Sequence, residues 1–424
     1  MNKIEKMIVE LCPEGVEYRK LGEIGTFTRG SGIKKKDFVE SGMPCIHYGQ
    51  IYTKFGLFTD RALSMVSEEQ YAKSKKANPG DVIFAITSEN IEDVCTPLVW
   101  EGDQPVAISG HSCAYATRDI IPRYLAYLVT GQFFQIAKQK VTKGTKVIEV
   151  APVDLARLEI PVPPIEIQHE VVRILDAFTE LTTELTTELT CRKQQYEYYR
   201  NRLLSQESLE ALDGKPVEMA KLGDAGAFYG GLTGKSKEDF KGGSSLFVPY
   251  KNVYNNAAVD FGKLDTVNVA DGERQHEIAY GDVLVTGSSE TPDDCGMTSV
   301  VMDLPKAPTY LNSFCFGWRP NHPEAFEPGF LKYAFRAHGT RRQIVKTANG
   351  VTRFNISKDA FRRVEIPVPS LATQQKVVDI LDRFDALTTS LTDGLPAEIE
   401  ARRQQYEHYR DRLLDFPRKE DAAR

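Results

Sequence analysis

The 424-residue sequence has no long apolar run, no closely spaced cysteine pair and almost no catalytic signature. No stretch approaches the roughly 18 apolar residues of a membrane helix. The opening MNKIEKMIVELCPEGVEY alternates charged with apolar residues and lacks the basic, apolar and small-residue regions of a signal peptide. A soluble cytoplasmic chain, with no membrane association, is the expectation. The seven cysteines (Cys12, Cys45, Cys95, Cys113, Cys191, Cys295 and Cys315) are scattered and odd in number, and none forms a Cys-x-x-Cys pair. They read as free, mostly buried thiols rather than a disulfide framework or a zinc site. The histidines do not join them at ligand spacing.

The catalytic motifs are near misses. GGLTGKS at Gly230–Ser236 resembles a phosphate loop, but Tyr229 stands where its first glycine belongs and no strongly apolar strand precedes it. No Gly-x-Ser-x-Gly elbow occurs. Neither does Asn-Pro-Pro-aromatic, Asp-Pro-Pro-aromatic or Glu-x-Lys. Adjacent acids at Glu92-Asp93 and Asp293-Asp294 read as surface turns rather than metal ligands.

What is present is a chain written twice. KLGEIGTFTRGSG from Lys20 returns as KLGDAGAFYGGLTG from Lys221. PGDVIFAITSENIEDVC from Pro79 matches YGDVLVTGSSETPDDCG from Tyr280. LEIPVPPIEIQHEVVRILDAFTELTTEL from Leu158 matches VEIPVPSLATQQKVVDILDRFDALTTSL from Val364, and RKQQYEYYRNRLL from Arg192 matches RRQQYEHYRDRLL from Arg402. Each copy is a domain plus a connector. The first part, 16–160 or 217–366, is rich in glycine, aromatic and β-branched residues. Its short apolar runs DVIFAIT and DVLVTG follow Gly-Asp turns and predict strands, while RYLAYLVTGQFFQIAKQ and EPGFLKYAFRAHGTRRQIVK have helical spacing. This predicts a compact α+β domain. It ends in an extended strap enforced by Pro161, Pro163 and Pro164, or by Pro367 and Pro369.

A long helix follows, predicted from about Ile167 to about Leu204. Val171, Leu175, Phe178, Leu185, Leu189, Tyr196, Tyr199 and Leu203 recur on it at three- and four-residue steps. At about 1.5 Å per residue it is close to 60 Å long, too long to bury its stripe on one small domain. Its own repeat, from Thr373 onward, is the expected partner helix. Gly394 and Pro396 should break or kink that repeat, with Pro396 near the first turn of a new segment. The expected boundaries are 1–162 and 214–368 for the two domains, 163–213 for the first helix, and 369–424 for the second helix and tail.

Two unlike domains opening KLG-x-x-G-x-F, closing on IPVPP or IPVPS and passing into a helix ending RQQY-x-x-YR-x-RLL resemble the DNA-specificity subunits of Type I restriction–modification enzymes. The resemblance covers nearly the whole chain. It implies two pseudo-twofold-related α+β target recognition domains, each reading one half of a split DNA sequence, separated by two long helices in an antiparallel coiled coil. It implies no catalytic residue and no cofactor on this chain. S-adenosylmethionine, ATP and magnesium belong to partners: two methyltransferase subunits docked on the helices, and motor-nuclease subunits in the full complex. The tandem word Leu-Thr-Thr-Glu within ELTTELTTELT (Glu180–Thr190) then becomes a spacer ruler. Four helical residues add about 6 Å and about 40° of excess turn, and one B-DNA base pair turns by a similar angle. A tolerated replication slip is the competing origin. A structural coiled-coil scaffold with protein-binding ends is the competing function.

Net charge is −6, yet basic clusters occur at matching places of both copies. Candidate DNA contacts follow from side-chain chemistry: amides and arginine for base edges, lysine and arginine for phosphates. In the first domain these are Lys34, Lys35, Tyr48, Gln50, Tyr52, Lys54, Ser88, Glu89, Ser109, His111, Lys143, Thr145 and Lys146. In the second they are Tyr250, Lys251, Asn252, Tyr254, Ser289, Glu290, Asn312, Ser313, Arg341, Asn349, Thr352 and Arg353. A buried structural role is the alternative for the tyrosines, Glu89 and Glu290.

Overall fold

The computed structural model describes residues 3–270, 272–389 and 394–419. The chain divides into two compact units, Met1–Thr186 with Glu398–Arg424, and Thr187–Ala397. Three long helices organise them: α1 (Ile165–Leu203), α2 (Leu371–Thr389) and α3 (Leu395–Leu413). The unit boundaries fall within α1 and near the start of α3. Each unit therefore holds one globular part and two helical arms, drawn from different copies of the repeat.

α1 runs 39 residues without glycine or proline. Half-buried positions of α1 include Phe178, Thr182, Leu185, Leu189, Arg192 and Tyr196, at the three- and four-residue steps of a helix-pairing seam. The threonines of the tandem word are accommodated by back-bonding: Thr182 Oγ1 donates to Phe178 O at 2.9 Å and Thr186 Oγ1 to Thr182 O at 2.8 Å. The expected break in the second copy is present. α2 ends at Thr389 and α3 begins at Leu395, with Pro396 in the first turn, where its missing N–H removes no helical bond.

In the first unit, strands β1 (Gly25–Arg29), β2 (Phe58–Thr59), β3 (Val82–Ala85), β4 (Thr96–Trp100) and β5 (Ser112–Thr117) form a sheet in the order β1-β5-β3-β4-β2. Only the β4–β2 pair is parallel. A second five-stranded sheet carries Met43–Ile46 beside Val106–Ile108. In the second unit, β6 (Gly226–Gly230), β7 (Val283–Thr286), β8 (Thr298–Val300) and β9 (Cys315–Pro320) repeat the order as β6-β9-β7-β8. A single parallel bridge, Ala258 with Val300, stands where the first unit has its fifth strand.

The repeated motifs have physical reasons. In KLG-x-x-G the last glycine, Gly25 or Gly226, lies under an aromatic ring of the neighbouring strand, Tyr115 or Trp318, and any Cβ there would overlap that ring. The aromatic group then reaches back to the motif: Tyr115 Oη donates to Leu21 O at 2.8 Å, and Trp318 Nε1 to Leu222 O at 2.9 Å. The straps pair as strands, Tyr18–Lys20 with Glu159–Pro161 and Glu218–Lys221 with Glu365–Val368. Just beyond each strap a buried glutamine fixes the start of the long helix. Gln168 accepts from Ile121 N at 2.8 Å and donates to Pro163 O at 2.8 Å. Gln374 accepts from Glu327 N at 2.8 Å and donates to Pro369 O at 2.9 Å.

The helical arms pair antiparallel within each unit. In the first, Phe178 of α1 stacks on Tyr409 of α3 at 5.5 Å, and beyond the helix ends Glu159 pairs with Arg418. In the second, Tyr199 of α1 stacks on Phe384 of α2 at 5.6 Å, while Asp213 meets Thr373. The late arm also caps a helix of the globular part. Asp411 Oδ1 accepts from Gln132 N at 3.0 Å, and Asn201 Oδ1 from His338 N at 2.9 Å. This is the role of the variable residue in YR-x-RLL.

Candidate nucleic-acid interface

Each unit carries a cleft beside a short helix, and these two clefts are built from matching residues. The first, about 410 Å³, is lined by Tyr48, Tyr52, Thr87, Ser88, Glu89, Asn90, Asp93 and Val147, among others. The second, about 530 Å³, is lined by Tyr250, Tyr254, Ser288, Ser289, Glu290, Thr291, Asp294, Phe314, Thr352 and Arg353. In both, a short helix (Tyr48–Thr53 or Tyr250–Asn255) presents two tyrosines one turn apart. A two-residue strand (Thr87–Ser88 or Ser288–Ser289) forms the floor and leads into an acidic loop.

The tyrosines are held differently. In the first cleft Tyr52 Oη donates to Thr87 O at 2.8 Å, and in the second Tyr250 Oη donates to Ser288 O at 2.7 Å. Burial pushes both hydroxyls above the ordinary tyrosine value. Tyr250 and Tyr254 stack at 6.0 Å, whereas Tyr48 meets Tyr52 edge-on and lies 4.9 Å from His111. Tyr254 titrates high through burial and the neighbouring Asp294 carboxylate.

The acidic loop has one backbone shape in both copies. Its turn needs a left-handed residue, Gly296 with φ +68° in the second unit and Cys95 with φ +69° in the first. A cysteine there costs about 1–2 kcal/mol. A cation from below holds each turn. Buried Lys138 donates to Glu92 O and Val94 O, both at 2.7 Å, and Arg341 donates to Gly296 O at 2.6 Å, Asp293 O at 2.7 Å and Cys295 O at 2.9 Å. Glu89 and Glu290 face solvent, not the core.

Several sequence candidates are engaged inside the fold, in bonds with which a DNA contact would compete. Asn252 is buried, and its side-chain amide donates to Asp260 O at 2.8 Å and Lys263 O at 2.9 Å. Ser109 is buried and its hydroxyl accepts from Tyr48 N at 2.9 Å. Gln50 closes its own helix by accepting from His47 N and donates to Ser64 Oγ at 2.8 Å. Arg341 is the loop clamp just described. The reason is common to all four: each satisfies a backbone N–H or C=O of the fold that needs a partner.

The others lie at the surface. Lys54, Lys251, Thr145, Lys146, Asn349 and Ser313 are exposed. Lys143 pairs with Asp154 at 2.7 Å. Asn312, Ser313 and Phe314 line a neighbouring depression of about 410 Å³. Lys34 and Lys35 sit exposed at the turn Lys35–Asp37 and do not line the first cleft. Thr87, Asn90, Asp93, Val147, Ser288, Thr291, Asp294 and Phe314 were not on the candidate list. Superposing the two copies residue by residue along TSEN and SSET would have found Thr87, Asn90, Ser288 and Thr291.

Two versions of one polar, aromatic-walled cleft, each on its own α+β fold, define a recognition protein with two related heads. The chain belongs to the Type I restriction modification DNA specificity family, whose domain model matches residues 13–191 and 215–401. It is 36% identical over 279 residues to the specificity subunit of the Type I restriction enzyme EcoR124I/EcoR124II of Escherichia coli, covering 63% of this chain and 65% of that one. It is 31% identical over 296 residues to a Haemophilus influenzae protein named as a type I restriction enzyme specificity subunit, covering 64% and 68%. Its fold matches a chain solved in work on complex assembly and conformational transition of the type I R-M system. That match has a TM-score of 0.61 at 19% identity, over 94% of this chain and 97% of that one. Among the described residues no helix is long and apolar enough to cross a membrane.

Proposed function

We propose that the chain is the sequence-specific, non-catalytic DNA-binding subunit of a cytoplasmic Type I restriction–modification complex. Each globular part reads one half of a bipartite duplex target. The observation that carries this is the pair of equivalent clefts, alike in backbone and different at several side chains, as two different half-sites require. Acidic and tyrosine groups suit base edges, since carboxylates accept from cytosine amino groups. The exposed lysines near the clefts, Lys54, Lys146 and Lys251, suit phosphates. The long helices set the separation of the half-sites and dock two methyltransferase subunits. S-adenosylmethionine, ATP and magnesium are held by those subunits and by the motor-nuclease subunits.

Exchange of residues 16–160 for the equivalent domain of a relative tests this. The methylated motif of the assembled complex should change in one half and keep the other. A change in both halves would show that the two parts do not read independently.

A further inference from the structure

The two clefts share a backbone and differ in side chain at a few matching positions, one of them on a bordering hairpin. Each is bordered by a hairpin whose glycine is left-handed, φ +104° at Gly144 and +146° at Gly350. That glycine lies so close to the carbonyl oxygen of Val147 or Arg353 that no Cβ fits. The strands that follow join the cleft floor in one register: Ile148 pairs with Ser88 and Glu149 with Thr87, as Phe354 pairs with Ser289 and Asn355 with Ser288. Val147 and Arg353 are therefore the same position in the two copies. His111 and Phe314 correspond likewise, since their carbonyls accept from the matching amides Ile86 N and Gly287 N. The tyrosine pair, the Ser-Glu dipeptide and the loop aspartate are common to both clefts.

Resting on the function proposed above, we propose that this position discriminates the two half-sites. Arg353 reads a guanine in the half-site of the second domain. Val147 seats a thymine methyl group at the matching place of the other half-site. Features common to both clefts cannot distinguish unlike half-sites, so the discrimination must come from what differs.

Arg353 is organised as a base reader. Its guanidinium lies over the exposed Phe314 ring at 5.4 Å from the centroid, and Nη2 donates to Ser288 Oγ at 3.1 Å. It forms no ion pair with a carboxylate among the described residues, although Glu290 and Asp294 line the same cleft. Those two carboxylates oppose entry of a phosphate but accept from amino groups on base edges. The guanidinium fork matches guanine O6 and N7, the commonest specific contact in the major groove. Val147 is 60% exposed, so folding gains little from an apolar side chain there. A branched aliphatic group at that position suits the thymine methyl.

The test uses the chain assembled with its methyltransferase partners, with Arg353→Val and Val147→Arg compared on a randomised duplex library at fixed salt. Both side chains are exposed, so thermal midpoints should match the parent and confirm folding. R353V should lose guanine preference roughly 5- to 150-fold at one position of one half-site, leaving the other half unchanged. V147R should exchange thymine for guanine at the matching position of the opposite half. If R353V weakens all sequences alike, Arg353 binds phosphate and the proposal fails. It fails equally if both variants select the parent motif. A parent complex that selects no bipartite motif would instead overturn the underlying functional reading.

Discussion

Replacing Gln168 by leucine removes the hinge pin between the strap, the globular part and α1. The side chain is 1% exposed, so water cannot substitute for it. The change orphans Ile121 N–H and Pro163 C=O, each now bonded at 2.8 Å. An unsatisfied buried polar group costs about 1–3 kcal/mol, so two cost about 2–6 kcal/mol. Leucine recovers part of this through apolar burial, at most about 1.5–3 kcal/mol. A net loss of about 0.5–3 kcal/mol is expected. Urea unfolding should show the lowered midpoint. Hydrogen exchange should show its location: the Ile121 amide should exchange faster, while the Glu327 amide, held by Gln374 in the other unit, should not. An unchanged midpoint together with unchanged Ile121 exchange would refute the claim that this glutamine anchors the helix.

Inserting one more Leu-Thr-Thr-Glu after Glu184 preserves the half-buried seam and advances the helix by about 6 Å and 40°. The methylated motif should keep both halves and gain about one base pair of gap, and an active complex with an unchanged gap would count against the ruler. A two-residue insertion turns the seam by roughly 200° and should abolish assembly, read by native mass spectrometry. Glu170 is held down to about 2 by the Arg173 guanidinium beside it and by Lys3, against the upward push of burial. A depressed carboxylate contributes stability above its unfolded value of about 4.3 and loses it as pH falls toward the folded value. The thermal-midpoint gap between the parent and Glu170→Gln should therefore shrink from pH 5 to pH 2, and a pH-independent gap would remove the ion pair from the account.

Much of the fold was legible because it is periodic or repeated. The helix expected from about Ile167 to about Leu204 spans Ile165–Leu203, since its seam is long and uninterrupted. The break at Gly394 and Pro396 followed from proline's missing donor. The strands at Val82–Ala85 and Val283–Thr286 lie in the runs that predicted them. The clefts were legible only in part. Composition shows that Asn252, Ser109, Gln50 and Arg341 are polar, but not that backbone groups of the fold claim them. Val147 was missed for the opposite reason: candidates were chosen for polarity, and an aliphatic reader has none. The late arm's capping of the Gln132 and His338 amides was invisible because those partners are more than a hundred residues apart.

The central claim is that two unlike heads read two unlike half-sites. The measurement that tests it most directly is the methylation motif written into DNA by this chain co-expressed with its methyltransferase partner, mapped by sequencing methylated adenines. The account predicts two defined halves of different sequence around an unspecified gap of fixed length. A contiguous motif, two identical halves, or methylation without sequence preference would contradict it.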